Sequence, residues 1–146
     1  MRVMAQEQGW AKTFFSAINR RLAMRLSRIR LELARDHDFP QGSSLHGYEM
    51  TVPLKPDGHI DDDAWRNARA QYRVRRFWQG EPDEHGHVVH KPGGAWAFHY
   101  DDTGDVDDDE STYRFADHLF RPGEYVSIRE HEGRMRTYRI ASITAA

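Results

Sequence analysis

The sequence predicts a mainly β protein: an antiparallel barrel or rolled sheet of about seven to eight strands, with one short internal helix and an N-terminal helix. Segments of alternating polar and apolar residues recur along the chain, and turn-forming glycine and proline residues separate them. Alternation is the period of a strand that buries one face. The 146 residues include seven Phe, six Tyr and four Trp, which strands favour. This length gives room for one domain with a sizeable core.

The first strand is predicted at Ser27–Arg35, and this choice decides how the N-terminal third is interpreted. Ile29, Leu31 and Leu33 alternate with charged residues, as in a half-buried strand. The alternative is one long Arg-rich helix starting at Phe14, but Leu31 would then lie off the apolar stripe. The strand interpretation leaves no residue unexplained, so we predict the strand.

Residues 1–26 are predicted to be a helical appendage, and residues 27–146 a single β-rich domain. Within the appendage, Phe15, Ile18 and Leu22 recur at helical spacing. We therefore expect an amphipathic helix that precedes the barrel.

Charge is distributed unevenly between the two parts. The first 36 residues carry eight basic and three acidic side chains, and the remainder carries 13 basic and 20 acidic ones. A basic arm suits RNA or anionic lipid, but it also suits attraction to the acidic body of the chain or of a second copy. We predict that residues 10–25 mediate docking to a protein partner or self-association.

The next predicted elements are a strand and a short helix. A strand over His46–Leu54 follows a turn-rich segment, so it forms a hairpin with the first strand. A helix is predicted over residues 61–71, because Asp61, Asp62 and Asp63 suit its first turn. The three aspartates are thus interpreted as a helix cap rather than a metal site.

A strand at Tyr72–Trp78, a polar loop at 79–86 and a second hairpin are predicted next. The hairpin strands are 87–91 and 95–100, and Pro92-Gly93-Gly94 forms the turn between them.

The C-terminal region is predicted to contain an acidic loop at 101–110, an extended segment at 113–120 and a last hairpin around Gly133. Matching apolar residues and opposite charges favours a three-residue loop with three cross-strand pairs. These pairs are Val126–Ile140, Ile128–Tyr138 and Glu130–Arg136.

The strand over residues 72–78 contains the ligand-binding candidates Arg73, Arg75, Arg76 and Trp78. Interleaved arginines and aromatic residues could form a stacking surface for single-stranded nucleic acid, although the acidic body does not favour this. Arg76 has the same parity as the apolar residues of the strand, so it faces the core unless a bulge intervenes, which is the commoner explanation. An inward arginine needs a carboxylate partner or an anionic ligand.

Three histidines are the metal candidates: His85, His87 and His99. His85 and His87 share one face of a strand, and His99 lies opposite His87 in the predicted hairpin. This spacing matches no established ligand motif, so surface histidines are the favoured interpretation.

No phosphate loop, dinucleotide fingerprint, nucleophile elbow or zinc-protease motif is present, and the sequence calls for no catalytic residue and no cofactor. Whether the protein is an enzyme stays open. We predict a non-enzymatic binding or protein-interaction module of unknown partner. The alternatives are a metal- or small-ligand-dependent enzyme built on the His87/His99 hairpin and an RNA-binding module built on residues 72–78.

A cytoplasmic protein is predicted, with no transmembrane segment. Cysteine is absent, so disulfides and thiolate metal sites are excluded, which is compatible with a reducing compartment. No apolar run approaches the roughly 20 residues that a membrane-spanning helix needs.

Five short motifs are spread over the predicted domain. They are His46-Gly47-Tyr48-Glu49, Gly58-His59-Ile60-Asp61, Arg75-Arg76-Phe77-Trp78, Gly93-Gly94-Ala95-Trp96 and Pro122-Gly123-Glu124-Tyr125-Val126-Ser127. Together they resemble a family of small uncharacterised bacterial proteins. That resemblance implies domain boundaries near the first strand and brings no known activity.

Overall fold

A computed structural model describes residues 25–91, 95–101, 110–113, 115, 118–130 and 133–146. The predicted N-terminal helix and residues 10–24 of the predicted docking segment lie outside these ranges. The strands are β1 (Arg25–Leu33), β2 (Ser43–Leu54), β3 (Arg73–Trp78), β4 (Glu81–His90), β5 (Trp96–Tyr100), β6 (Glu110–Tyr113), β7 (Tyr125–Arg129) and β8 (Met135–Ala145). Helix α1 covers Asp62–Asn67, and a 3₁₀ turn follows at Arg69–Gln71.

The eight strands form a closed antiparallel barrel in which each strand pairs with its sequence neighbours and β8 pairs with β1. The predicted mainly β fold is therefore confirmed. Residues 27–33 are strand, as the alternation predicts, and β1 begins two residues earlier, at Arg25. Ile29 and Leu31 are completely buried, whereas Arg28 is exposed.

The end of the barrel where β2 leads into β3 is closed by aromatic side chains, and we call it the aromatic end. Helix α1 places Trp65 there, and its indole N–H donates to the Val88 carbonyl at 2.9 Å. The Trp65 and Trp96 ring centres are 5.2 Å apart, and Phe115 packs on Phe120 at 5.3 Å. Aromatic rings pack edge to face at such distances, so this end is filled.

Helix α1 begins as predicted, because a carboxylate caps it. The Asp61 Oδ1 atom accepts a hydrogen bond from the Ala64 backbone N–H at 3.1 Å. Asp62 and Asp63 occupy the first turn, where negative charge suits the helix dipole. The helix ends at Asn67, and the predicted segment continues only as the 3₁₀ turn.

The prediction of a loop over residues 79–86 is wrong, because strand β4 already begins at Glu81. The pairing register between β3 and β4 shifts after Arg76, so that two residues of β4, Pro82 and Asp83, lie opposite Phe77. A bulge tolerates a proline inside a strand, since its missing N–H interrupts no ladder hydrogen bond.

The predicted register of the last hairpin is also wrong. The structure pairs Val126 with Tyr138 and Ile128 with Arg136, an offset of two residues from the prediction. The Glu130 N–H also donates to the Arg134 carbonyl, which leaves three residues between this pair; Gly133 is the last of the three and has a positive φ of 77°. Because the offset is even, every side chain keeps its predicted face.

Strand β6 covers Glu110–Tyr113 and overlaps the extended segment predicted at 113–120 only at Tyr113, and residues 114, 116 and 117 of that segment lie outside the described ranges. None of the helices in the described part of the chain is long and apolar enough to cross a membrane.

Candidate functional site at the polar end of the barrel

The opposite end of the barrel, which we call the polar end, is where β1, β3, β5 and β7 finish and β2, β4, β6 and β8 begin. Charged side chains point into the interior there, in positions that apolar residues occupy elsewhere in the barrel. Glu110 is completely buried, and Glu130 and Arg136 are 8% and 9% exposed. Buried charges need partners, so the contacts of this cluster decide what it can do.

Three tyrosines supply hydroxyl donors to the two carboxylates. Glu110 accepts from the Tyr48 hydroxyl at 3.0 Å and also from Tyr100, and Glu130 accepts from Tyr138. Burial, reinforced by the neighbouring carboxylates, raises the pKa of each of these tyrosines. The hydroxyls therefore stay protonated and act as donors at neutral pH.

Arg76 lies in the middle of this cluster and faces inward. It pairs across the sheet with the buried Tyr48, and the bulge in β3–β4 begins only after it, so the bulge does not turn it outward. Nη2 is 3.7 Å from Glu130 Oε1, and Nη1 is 3.3 Å from Glu81 Oε2. Nε makes no hydrogen bond to any residue that the structure describes. The bulge that the sequence pattern favours is therefore absent before Arg76, which faces inward and has carboxylate neighbours but an incompletely used set of donors.

Arg76 stays positively charged despite its burial. Burial alone would lower the pKa of Arg76, but Tyr48, Glu130 and Glu110 outweigh it and the net shift of the pKa is upward. The guanidinium is thus a permanent cation with only 11% of its side chain exposed.

A second inward arginine, Arg136, donates hydrogen bonds from all three of its side-chain nitrogens. Its Nη1 donates to Asp36 at 2.5 Å, its Nη2 to Asp38 at 3.4 Å and its Nε to Glu130 at 3.3 Å. Burial opposes the charge of Arg136, but the Asp36 and Glu130 carboxylates raise its pKa overall. Arg136 therefore ties the connection between β1 and β2 to the barrel interior.

Three rings form an aromatic wall beside the two arginines: Trp78, His46 and Phe39. The ring centres of His46 and Trp78 are 4.4 Å apart, and those of Phe39 and His46 are 4.5 Å apart. The Arg76 guanidinium carbon lies 4.4 Å from the Trp78 ring centre, within cation–π distance. Trp78 and Phe39 are half-buried, so this wall is reached from solvent.

Of the four predicted ligand-binding residues, only Arg76 and Trp78 lie in this cluster. Arg73 and Arg75 point to the outer face of β3. Arg75 donates to Glu49 at 2.5 Å and to Asp83 at 2.9 Å, and Arg73 donates to Asp101 at 2.6 Å. Because their charges are matched by carboxylates, the outer arginines offer little free positive potential to a nucleic acid.

The structure places the predicted metal candidates on the outer face of the β4–β5 hairpin, with His87 opposite His99 as expected. His87 Nε2 accepts a hydrogen bond from Arg73 Nη1 at 2.9 Å, so its lone pair is engaged by a cation. Across the described ranges, no three His, Asp or Glu side chains are grouped so that they could hold a metal ion. His85 is exposed.

Most of the polar cluster was not predicted as a site. The missed residues are Phe39, His46, Tyr48, Tyr100, Glu110, Glu130, Arg136 and Tyr138. The sequence does contain a pattern that points to Arg136. This residue alternates in phase with Tyr138 and Ile140, which face the interior, and it is predicted to pair with Glu130. For Glu110 the acidic segment hides the signal, since its neighbours are also carboxylates.

Chemically, the cluster combines a fixed cation, tyrosine hydroxyls committed to carboxylates and an aromatic wall at a barrel mouth. Groups of this kind can bind and orient a polar molecule. No protein-family model, curated protein or solved structure matches the chain.

Proposed function

We propose that the protein is a non-enzymatic binding module that holds a small organic molecule at the polar end of its barrel, with Arg76 as the anchoring residue. The observation that carries this proposal is the donor set of Arg76, a buried guanidinium whose Nε has no hydrogen-bond partner in the described structure. Buried polar groups are almost always paired, so an unpaired one calls for an explanation, and a ligand that offers an acceptor to Nε supplies one. An eight-stranded barrel can hold one small ligand in its mouth.

The shape of the barrel supports one binding end. The aromatic end is filled by Trp65, Trp96 and Phe120, whereas the polar end carries the half-buried rings of Trp78 and Phe39 and the Arg76 cation, whose side chain is 11% exposed. A ligand therefore approaches Arg76 and Trp78 from the polar end, over the exposed Glu81.

A fragment library screened by thermal unfolding tests this proposal. Arg76→Lys keeps the positive charge but removes the Nε donor and the planar fork, and Arg75→Lys is the same change on the outer face of the same strand. A ligand at about one hundred times its Kd stabilises a protein by about 2.7 kcal/mol. We expect fragments that raise the Tm of the wild type and of Arg75→Lys but not of Arg76→Lys.

Two results would contradict the proposal. One is a set of fragments that stabilises Arg76→Lys as much as Arg75→Lys, which would place their site elsewhere. The other is a screen without any fragment that distinguishes the two variants.

A second candidate function is protein docking or self-association through residues 10–25. A groove of about 750 Å³ lies where β1 begins, and Arg25 lines it together with the apolar Leu26, Leu54 and Phe120. A chain that lacks residues 1–23 tests this function by light scattering and solubility. The docking hypothesis is wrong if the truncated and full chains have the same mass and the same solubility. A cytoplasmic location, suggested by the absence of cysteine, belongs to the same proposal.

A further inference from the structure

We propose that the molecule bound at Arg76 is neutral and planar and presents a carbonyl oxygen to the guanidinium. The inference rests on the proposed function and specifies its ligand class. It depends on three features of the polar end: the direction of the available donor, the balance of charge and the shape of the walls.

The available donor calls for an oxygen acceptor. The Nε and Nη2 atoms form the side-on edge of a guanidinium, which binds one or two oxygens in its plane. Along this edge of Arg76, Nε has no hydrogen-bond partner in the described structure, and Nη2 is 3.7 Å from Glu130 Oε1, beyond hydrogen-bond distance. The Tyr48 hydroxyl is a further neighbour of the guanidinium. An oxygen atom of a ligand completes this edge.

The balance of charge excludes an anion as the best ligand. Counted over the described residues, six carboxylates and three guanidiniums surround the site: Asp36, Asp38, Glu81, Glu84, Glu110 and Glu130 against Arg76, Arg134 and Arg136. Glu130 already lies beside the Nη2 atom that a carboxylate ligand would use. Like charges within a few ångströms repel strongly where burial weakens solvent screening. A carbonyl oxygen accepts the same hydrogen bond without adding a charge.

The walls of the site favour a flat molecule. Trp78, His46 and Phe39 pack on one another in tilted and edge-to-face contacts, 4.4 to 6.0 Å between ring centres, and Trp78 and Phe39 are half-buried, so the wall presents partly exposed aromatic surface. The Arg76 guanidinium lies over the Trp78 ring, so an acceptor in the guanidinium plane stands beside an aromatic surface. Planar amides and aromatic carbonyl compounds place a carbonyl oxygen and a stacking face on one rigid frame.

Three probes of nearly equal shape separate the charge classes: benzamide is neutral, benzoate is an anion, and benzamidine is a cation without an oxygen acceptor. Titration of the full chain, followed by the NMR signals of the Arg76 Nε–H and the Trp78 indole N–H, gives the affinity and the position of each probe. We expect benzamide to bind at least about tenfold more tightly than benzoate or benzamidine. Arg76→Lys removes this binding, and Arg75→Lys does not.

The outcomes distinguish the two proposals. Benzoate or benzamidine binding at Arg76 as tightly as benzamide overturns the ligand class and leaves the binding site in place. Binding of benzamide that moves neither reporter signal, or no binding of any of the three probes, overturns the ligand class as well. If fragments from the thermal screen still depend on Arg76 in that case, the proposed function stands. The wild-type signals alone decide the position if Arg76→Lys does not fold.

Discussion

Each carboxylate inside the barrel accepts a hydrogen bond from at least one tyrosine hydroxyl, and this is how the polar end tolerates buried charge. A phenol supplies a donor on a rigid apolar ring, so Tyr48, Tyr100 and Tyr138 fill the core and solvate Glu110 and Glu130 at once. Arg76 differs from these residues because one of its donors remains unused.

The surroundings of His46 predict a stability that depends on pH. His46 is 5% exposed, Ser43 Oγ lies 2.6 Å from its Nδ1, and its ring packs at a tilt against Phe39 and edge to face against Trp78. Burial lowers the pKa of His46 below its ordinary value of 6.5, and the charges of Arg136 and Arg76 lower it further, against a smaller opposing effect of Glu81. The folded state thus favours the neutral ring.

We therefore expect the free energy of unfolding to fall as the pH decreases below 6.5, because the unfolded chain takes up the proton first. The titration of one histidine changes the free energy of unfolding by at most about 1.4 kcal/mol per pH unit. Urea unfolding at pH 7.5 and 5.5 measures it, and His46→Gln should reduce the difference between the two pH values. His37→Gln is the control, since the His37 side chain is 95% exposed. An equal pH dependence in the wild type and His46→Gln would refute this assignment.

At the scale of strands, the close approach of β1 and β2 requires a glycine at position 47. A Cβ atom on Gly47 would lie 1.9 Å from the Leu31 carbonyl oxygen and 3.1 Å from Cζ of Phe77. Phe77 lies on the outer face over this position, with the guanidinium of Arg30 4.4 Å from its ring centre. The missing side chain lets the phenyl ring cover the backbone there.

Gly47→Ala should therefore destabilise the barrel by about 3 kcal/mol or more, because backbone rather than a flexible side chain must move. Gly80→Ala is the matched control, with the same change in the unfolded chain. Gly80 has a φ of 87°, but a Cβ atom added to it would have no atom within 4 Å, so only backbone strain of about 1 kcal/mol opposes alanine there. Urea unfolding of both variants measures the difference, and equal losses would argue against the steric explanation.

Strand parity explains which parts of the site could be predicted from the sequence. Alternation along β3 indicates that Arg76 shares a face with Val74 and Trp78, but only the pairing of Tyr48 with Arg76 shows that no bulge intervenes before it. Alternation cannot reveal partners that are distant in the chain. Asp36 and Arg136, which form an ion pair at 2.5 Å, are 100 residues apart.

The pairing register of two strands is harder to predict than the face to which each side chain points, because matched apolar pairs fit more than one alignment of the strands. The last hairpin shows this: Glu130 and Arg136 are predicted as direct partners, yet they form their ion pair from diagonal positions. The decisive feature was the place of Gly133 within the loop, which the pattern of the strands does not contain.

For the whole molecule, closure between the first and last strands is the property on which the site depends. Each strand pairs with its neighbours in the chain, so the interface of β1 with β8 is the contact that converts a sheet into a barrel. An open sheet would expose two unpaired edges and the charged interior. The chain contains no cysteine, so an engineered disulfide can test this closure without competing thiols.

Arg28 and Thr144 are directly paired across this interface and both are exposed. Directly paired residues of antiparallel strands have Cα atoms about 4.5–5.5 Å apart, within the range of a disulfide. We expect the double substitution Arg28→Cys and Thr144→Cys to oxidise readily. The bond should stabilise the barrel by up to about 4.7 kcal/mol, since it closes a loop of more than 100 residues.

The control combines Arg30→Cys with Thr144→Cys on the same face. Arg30 pairs with Ser142, so this second pair is two residues out of register. Thiol titration and urea unfolding compare the two variants. Only the first pair should form a disulfide without loss of stability, because diagonal positions lie about 7–8 Å apart. Equal oxidation of both pairs, or preferential oxidation of the second, would contradict the register that closes the barrel and aligns Arg136 with the polar end.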